Sequence, residues 1–174
     1  MSVRGGGSQH SCGTCNMCCK LFSIADLGKP AWAWCEHCLP GSSKGCKIYD
    51  TRPQMCREFK CVWILTPTLG PEWRPDTAGF VLRVNGARML VDVEAARPDA
   101  WRRQPYYNQF KLWSRRDGEP MLTVIVNTPR HTYVVFPETD VELGPGGEHT
   151  KIRSGYREEG GRLMPFAHFA EQPN

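Results

Sequence analysis

Nine cysteines stand out as residues that could do chemistry in this chain, and all of them fall between residues 12 and 61. The opening run is Cys12-Gly-Thr-Cys15-Asn-Met-Cys18-Cys19, three thiols at every third position with a fourth immediately after. Cys35-Glu-His-Cys38 follows, then Cys46 behind Gly45, and Cys56 and Cys61 close the set. Thiols at such close spacing converge on one ion from a tight turn, and the thiolate is the ligating form. The competing chemistry is a disulfide framework, which belongs to oxidising compartments and short secreted chains. The N-terminal MSVRGGGSQH has no apolar stretch of the kind a secretory signal carries. Nine is also an odd number, and adjacent cysteines seldom pair with each other. Reduced thiolates on metal are the expected chemistry.

The spacing leaves the ion open. Zn²⁺ in a closed site takes four Cys or His ligands, so eight or nine thiolates suffice for two zinc ions without sharing, or for three with bridging sulfurs. An iron–sulfur cluster needs four thiolates, and the remainder would bind zinc or stay free. C-x-x-C-x-x-C resembles the first three ligands of a bacterial ferredoxin run, but Cys19 directly follows and no Cys-Pro comes at the ferredoxin spacing. Neighbouring residues point in different directions, so Cys18 and Cys19 would serve different ions or bridge two. Zinc leads on affinity over Fe²⁺, although a cluster assembled with sulfide escapes that comparison.

The run CGTCNMCC, Cys35, and the stretch from Gly45 to Cys61, GCKIYDTRPQMCREFKC, resemble the bacterial CxxCxxCC cysteine-cluster family, also called the YkgJ family. The resemblance covers Cys12 to Trp63, roughly a third of the chain. Eight cysteines map onto the pattern, namely Cys12, Cys15, Cys18, Cys19, Cys35, Cys46, Cys56 and Cys61, and Cys38 is left unassigned. The resemblance implies a zinc- or iron-chelating domain and no particular reaction. Cysteine domains resembling this one also occur in flagellin lysine N-methylases, which would imply cluster-dependent group transfer.

Charge supports the metal reading. Residues 1–66 hold eight Lys/Arg against four Asp/Glu, whereas residues 67–174 hold fourteen of each, so the whole net charge of +4 sits in the cysteine segment. A nucleic-acid patch is one explanation. The other is internal, since ligating thiols must be deprotonated and interleaved basic residues offset that charge; this second one is preferred. Arg52 and Arg57 are candidates to hydrogen-bond thiolates from outside the ligand set, with solvent exposure weighed equally. Phe59, Trp63, Trp32 and Trp34 are candidate shielding aromatics. His37 should point away from its flanking cysteines, and His10 reads as a tail histidine.

The elements that must position these residues are short. Cys12 to Cys19 reads as a turn and a helix start, Leu21 to Leu27 as an apolar element packed over the site, and Pro53 as the entry to a helix carrying Cys56, capped by Thr51 or Asp50. Thr66 to Pro75 is rich in Pro and Gly and reads as a linker. Beyond it, residues 80–84 and 89–93 flank Asn85-Gly86, a hairpin signal. Tyr106, Phe110 and Trp113 mark one face of a helix that Asp117-Gly118 stops, and strands are expected at 121–127, 132–136 and 141–143. Asp92 and Glu94 share one strand face, read as an exposed polar face. Gly144-Pro145-Gly146-Gly147 lacks the Lys-Ser/Thr of a phosphate loop.

The expected fold is thus α+β: an N-terminal Cys-rich metal-binding domain of short helices and loops, then a small, mainly antiparallel sheet with one helix. The boundaries are a disordered tail at 1–11, the chelating domain at 12–66, the α+β module at 67–147 and a loosely ordered tail at 148–174. No stretch is long and apolar enough for a membrane helix, which with the absence of a signal predicts a cytoplasmic protein. The expected function is chelation of zinc or iron by eight to nine thiolates. The alternatives are an iron–sulfur protein with redox or group-transfer activity and a zinc-dependent module that recruits a protein or nucleic acid. Metal ions and a protein are the expected partners. Nucleic acid is disfavoured because a helix docked on a sheet needs Tyr106, Tyr107 and Trp113 for its own packing.

Overall fold

The computed structural model of the chain describes residues 10–43, 45–115, 117, 122–146 and 151–170. Residues 1–9 of the expected N-terminal tail, residues 147–150 and 171–174 of the loop and tail, and Gly118 of the helix stop lie outside them. The protein is α+β, and the chain divides into two compact units, 1–82 and 83–174.

The first unit carries every cysteine, in and between its short elements. They are α1 (Met17–Leu21), α2 (Gln54–Glu58), α3 (Val62–Leu65) and α4 (Pro75–Ala78), with 3₁₀ turns at Ala25–Leu27, Tyr49–Thr51 and Pro71–Trp73. Helices of four or five residues cannot hold themselves in water, so packing must hold them. Met17, Leu21, Phe22, Ile24 and Trp63 are buried, and Phe22 meets Phe59 edge-on with ring centroids 4.8 Å apart. Lys29 is buried as well. Its ammonium donates to the carbonyls of Lys20 at 3.2 Å and Pro30 at 2.8 Å, and to that of Phe22, which satisfies carbonyls around the end of α1. Pro53 stands at the N-cap of α2, and neither Thr51 nor Asp50 caps it.

The compact unit that holds the cysteines extends past the expected boundary at residue 66, to residue 82. Arg74 accounts for the extension, because its Nη2 donates to Thr14 Oγ1 at 2.9 Å and to the Cys12 carbonyl at 3.4 Å. Trp73 and Phe80, both buried, stand edge-on at 6.4 Å. The Pro/Gly-rich stretch is part of the cysteine unit and not a linker.

The sheet has five strands in sequence order: β1 (Phe80–Asn85), β2 (Arg88–Val93), β3 (Thr123–Asn127), β4 (Thr132–Val135) and β5 (Asp140–Glu142). Two residues, Gly86 at φ +58 and Ala87, join β1 to β2, a connection only antiparallel neighbours permit. β3–β4 and β4–β5 are antiparallel. β2 and β3 are parallel, in register from Arg88↔Thr123 to Asp92↔Asn127. Their crossover through residues 94–122 includes α5 (Tyr106–Trp113), as a parallel pair requires. Tyr106 and Phe110 of α5 are buried, as is Trp101 before it, and α5 packs on β3.

Ile125, Val134, Phe136 and Ile152 form a buried cluster, flanked by Tyr156, Ala167 and Phe169. The last three residues belong to a two-stranded sheet, β6 (Ile152–Glu159) and β7 (Arg162–Phe169), which corrects the expectation of a loosely ordered tail. Gly160 and Gly161 both take positive φ, +56 and +76, the dihedral sign a tight two-residue hairpin requires. Asp92 and Glu94 are likewise corrected from an exposed face to buried positions. Asp92 accepts from Arg83 at 2.6 and 3.0 Å and from Asn127 Nδ2 at 3.1 Å, while Glu94 pairs with Arg97 at 2.7 Å. Among the described residues no helix is long and apolar enough to cross a membrane.

Candidate metal centre

All nine cysteines line one cavity of about 490 Å³ within the first unit. None is in a disulfide. Turns, short helices and an isolated bridge bring them there. Cys12 and Cys15 bracket a turn closed by Cys15 N–H to Cys12 C=O at 2.8 Å, with Gly13 at φ +51, a conformation glycine adopts without strain. Cys18 and Cys19 sit on α1, and Cys56 sits on α2. Cys61 is the N-cap of α3. A second turn joins Cys35 to Cys38, closed by Cys38 N–H to Cys35 C=O at 2.9 Å, and Cys35 N–H donates to Cys19 C=O at 3.0 Å. Cys38 in turn lies opposite Cys46 across an isolated antiparallel bridge.

One polar residue that the cysteine spacing does not reveal ties these pieces together. Asn16, buried between Cys15 and Met17, accepts a hydrogen bond from Gly41 N–H at 2.9 Å and so links the first cysteine loop to the loop between Cys38 and Cys46. The available signal was a polar residue inside an otherwise apolar and thiol-bearing turn.

The thiols perturb one another. Cys18 S–H donates to the Cys19 sulfur, which holds Cys19 down to about 6; a second S–H from Cys38 and the nearby charges of Lys29 and Arg52 act the same way, against burial. Cys18, as that donor and by burial, is raised well above the usual thiol range. Burial first, then the neighbouring Cys19, pushes Cys38 up to about 12. Burial also raises Cys15, Cys56 and Cys61, with backbone N–H donors opposing it, Met17 at the Cys15 sulfur and Ile64 and Trp63 at that of Cys61. Such N–H···S bonds favour the thiolate.

Of the interleaved basic residues, Lys29 and Arg52 act on Cys19 and Arg57 and Lys60 line the cavity, while Arg74, beyond the cysteine segment, acts on Cys15. Phe59 and Trp63 line it too. Trp34 is instead 45 % exposed under the Lys20 ammonium, and neither it nor Trp32 is among the lining residues. His37 faces Glu36 at 3.4 Å. His10 is not a loose tail residue, because its ring stacks on Trp63 at 4.1 Å and its Nδ1 lies 2.7 Å from the Trp63 carbonyl. Arg52 Nε and Trp63 Nε1 are buried donors without an acceptor among the described residues, and both residues line the cavity.

The donor set is suited in kind to a thiophilic cation and in number to more than one. As placed, the side chains line the cavity wall, and among the described residues no three Cys, His, Asp or Glu groups converge into a set that could hold a metal ion.

No protein-family model, curated protein or solved structure matches the chain.

Proposed function

We propose that the protein is a metal-ion-binding protein that chelates zinc through its cysteine thiolates, with a cysteine segment of the CxxCxxCC type. The observation that carries this reading is that all nine thiols, from positions up to 49 residues apart, face one cavity. Packing alone gives no reason to gather so many. Cysteines used as small hydrophobes would be dispersed through both cores, and the second unit has none.

Three further features support it. The N–H groups of Met17, Ile64 and Trp63 are directed at thiol sulfurs, and Lys29, Arg52 and Arg74 supply positive charge next to them. Bound zinc would supply cross-links between loops whose helices are too short to hold alone. Cys19, already held toward the thiolate, needs no proton loss near neutral pH to ligate, whereas Cys18 and Cys38 must each release one.

Titration of the reduced, metal-free full chain with Co²⁺ tests the reading. Intense sulfur-to-cobalt charge-transfer bands that disappear on adding Zn²⁺ are expected. Weak bands typical of oxygen ligands, or none, would overturn it.

A further inference from the structure

We propose that Cys38 and Cys46 are a reversible oxidation site, a dithiol that a small disulfide converts to a cross-strand disulfide and that sets how much zinc the chain holds. The effect on zinc rests on the chelation reading, and the oxidation site rests on the backbone alone.

The two residues face each other in an isolated antiparallel bridge. One backbone bond flanks the pair on each side, Leu39 N–H to Gly45 C=O at 3.0 Å and Lys47 N–H to His37 C=O at 2.8 Å. In this arrangement the Cα atoms stand about 4.5 Å apart and the side chains lie on one face. A disulfide spans Cα separations from about 4.4 to 6.8 Å. The loop between them is itself held. Ser42 N–H bonds to Leu39 C=O and Gly45 N–H to Ser42 C=O, both at 3.0 Å, and Gly41 N–H bonds to Asn16 at 2.9 Å. Closing the S–S bond is therefore a matter of side-chain rotation.

Other neighbouring pairs are less suited. Cys18 and Cys19 are consecutive on α1, with Cα atoms about 3.8 Å apart, too close for a disulfide while the helix stands. Cys12 with Cys15 and Cys35 with Cys38 each close a turn through a single backbone bond, whereas the Cys38–Cys46 pair is bonded on both sides.

Cys38 is 7 % exposed and Cys46 is half-buried, so a small disulfide meets Cys46 first. The Cys46 thiolate attacks one sulfur of that disulfide and expels a thiolate, which takes up the proton Cys46 gave away. The Cys38 thiolate then attacks the Cys46 sulfur of the mixed disulfide and expels the second small thiolate, which takes the Cys38 proton. The cysteine pair loses two electrons, and the small disulfide leaves as two thiols. Both cysteines line the cavity with the other seven. Seven thiols are one short of the eight that two closed zinc sites take, so oxidation lowers the zinc capacity by about one ion.

The test uses the full chain, reduced and freed of zinc, equilibrated anaerobically in mixtures of glutathione and its disulfide. The products are acid-quenched, alkylated and mapped by mass spectrometry without reduction. A Cys38–Cys46 link that excess glutathione reverses completely is expected, and the oxidised chain should take up about one zinc ion fewer than the reduced chain. Recovery of the two cysteines as free thiols, as glutathione adducts or bonded to other cysteines would overturn the oxidation site, and this reading needs no variant to fold. Undiminished zinc uptake by a chain that carries the link would overturn its effect on zinc. A reduced chain that takes up no zinc would defeat the chelation reading itself, a separate failure, because the mapped link decides the oxidation site without it.

Discussion

Cys38 and Cys46 form a non-hydrogen-bonded antiparallel pair. The bonds on either side are Lys47 N–H to His37 C=O at 2.8 Å and Leu39 N–H to Gly45 C=O at 3.0 Å. In such a pair the Cα atoms approach to about 4.5 Å and the side chains share a face, within the separations a disulfide spans. When metal is absent the same juxtaposition leaves these two thiols within reach of a disulfide.

Mild oxidation of the metal-free chain with diamide should therefore yield a Cys38–Cys46 disulfide, and saturation with zinc should prevent it. Peptide mapping by mass spectrometry without reduction checks both statements. Random pairing, or equal oxidation with and without zinc, would contradict them.

Cys19 should be the fastest-alkylating cysteine of the metal-free protein. With its thiol held down to about 6 by the Cys18 S–H, the Cys38 S–H, and the charges of Lys29 and Arg52, its rate with iodoacetamide should climb through pH 6 and level off above. Cys38, pushed up to about 12, should alkylate far more slowly at the same pH. The linkage sign follows from the folded value lying below the ordinary thiol value. The stabilisation from the Cys19 thiolate is complete above the unfolded pKa and is lost as pH falls through about 6. Arg52→Gln should move the reactivity midpoint upward, and an unmoved midpoint would show that Arg52 contributes nothing there.

Asn16→Ala should destabilise the zinc-loaded chain by about 1 kcal/mol, the typical net value of one hydrogen bond, because the Asn16–Gly41 link at 2.9 Å is lost. Urea unfolding with zinc in excess measures it. An unchanged midpoint would show that the two cysteine loops are held together by other contacts alone.

In the second unit, Asp92→Ala should cost about 3 kcal/mol, since it leaves the half-buried Arg83 guanidinium facing a lost partner and strips Asn127 of its acceptor. Asp92→Asn, which keeps an acceptor oxygen, should cost less. Equal midpoints for the two variants in chemical denaturation would contradict the ion-pair account.

The sequence made the strand pairs legible where hydrophobic runs met a turn signal, as at Asn85-Gly86, and made α5 legible through Tyr106, Phe110 and Trp113. It was misleading where burial is decided by tertiary partners. Asp92 looks solvent-facing in sequence because its partners, Arg83 and Asn127, lie on neighbouring strands of the same sheet. The β6–β7 hairpin was hidden by its composition. Gly155 and Pro165 interrupt the two strands, and the apolar positions that face the core, Ile152, Tyr156, Ala167 and Phe169, are diluted by charges on the other face. For the cysteines, the spacing predicted that they would gather. The bridge at Cys38 and the placement of Cys56 and Cys61 along the cavity were not legible, because they depend on contacts far along the chain. Arg74, outside the cysteine segment, was missed for the same reason.

The most direct test of the central claim is the content of zinc, iron and acid-labile sulfide per chain in protein purified anaerobically without added metal, with free thiols counted before and after a strong chelator. The account predicts about two zinc ions per chain, as two closed four-thiolate sites require, no iron or sulfide, and thiols that become reactive once zinc is removed. A metal-free chain whose nine thiols are reduced and freely reactive, or joined in disulfides, would contradict it.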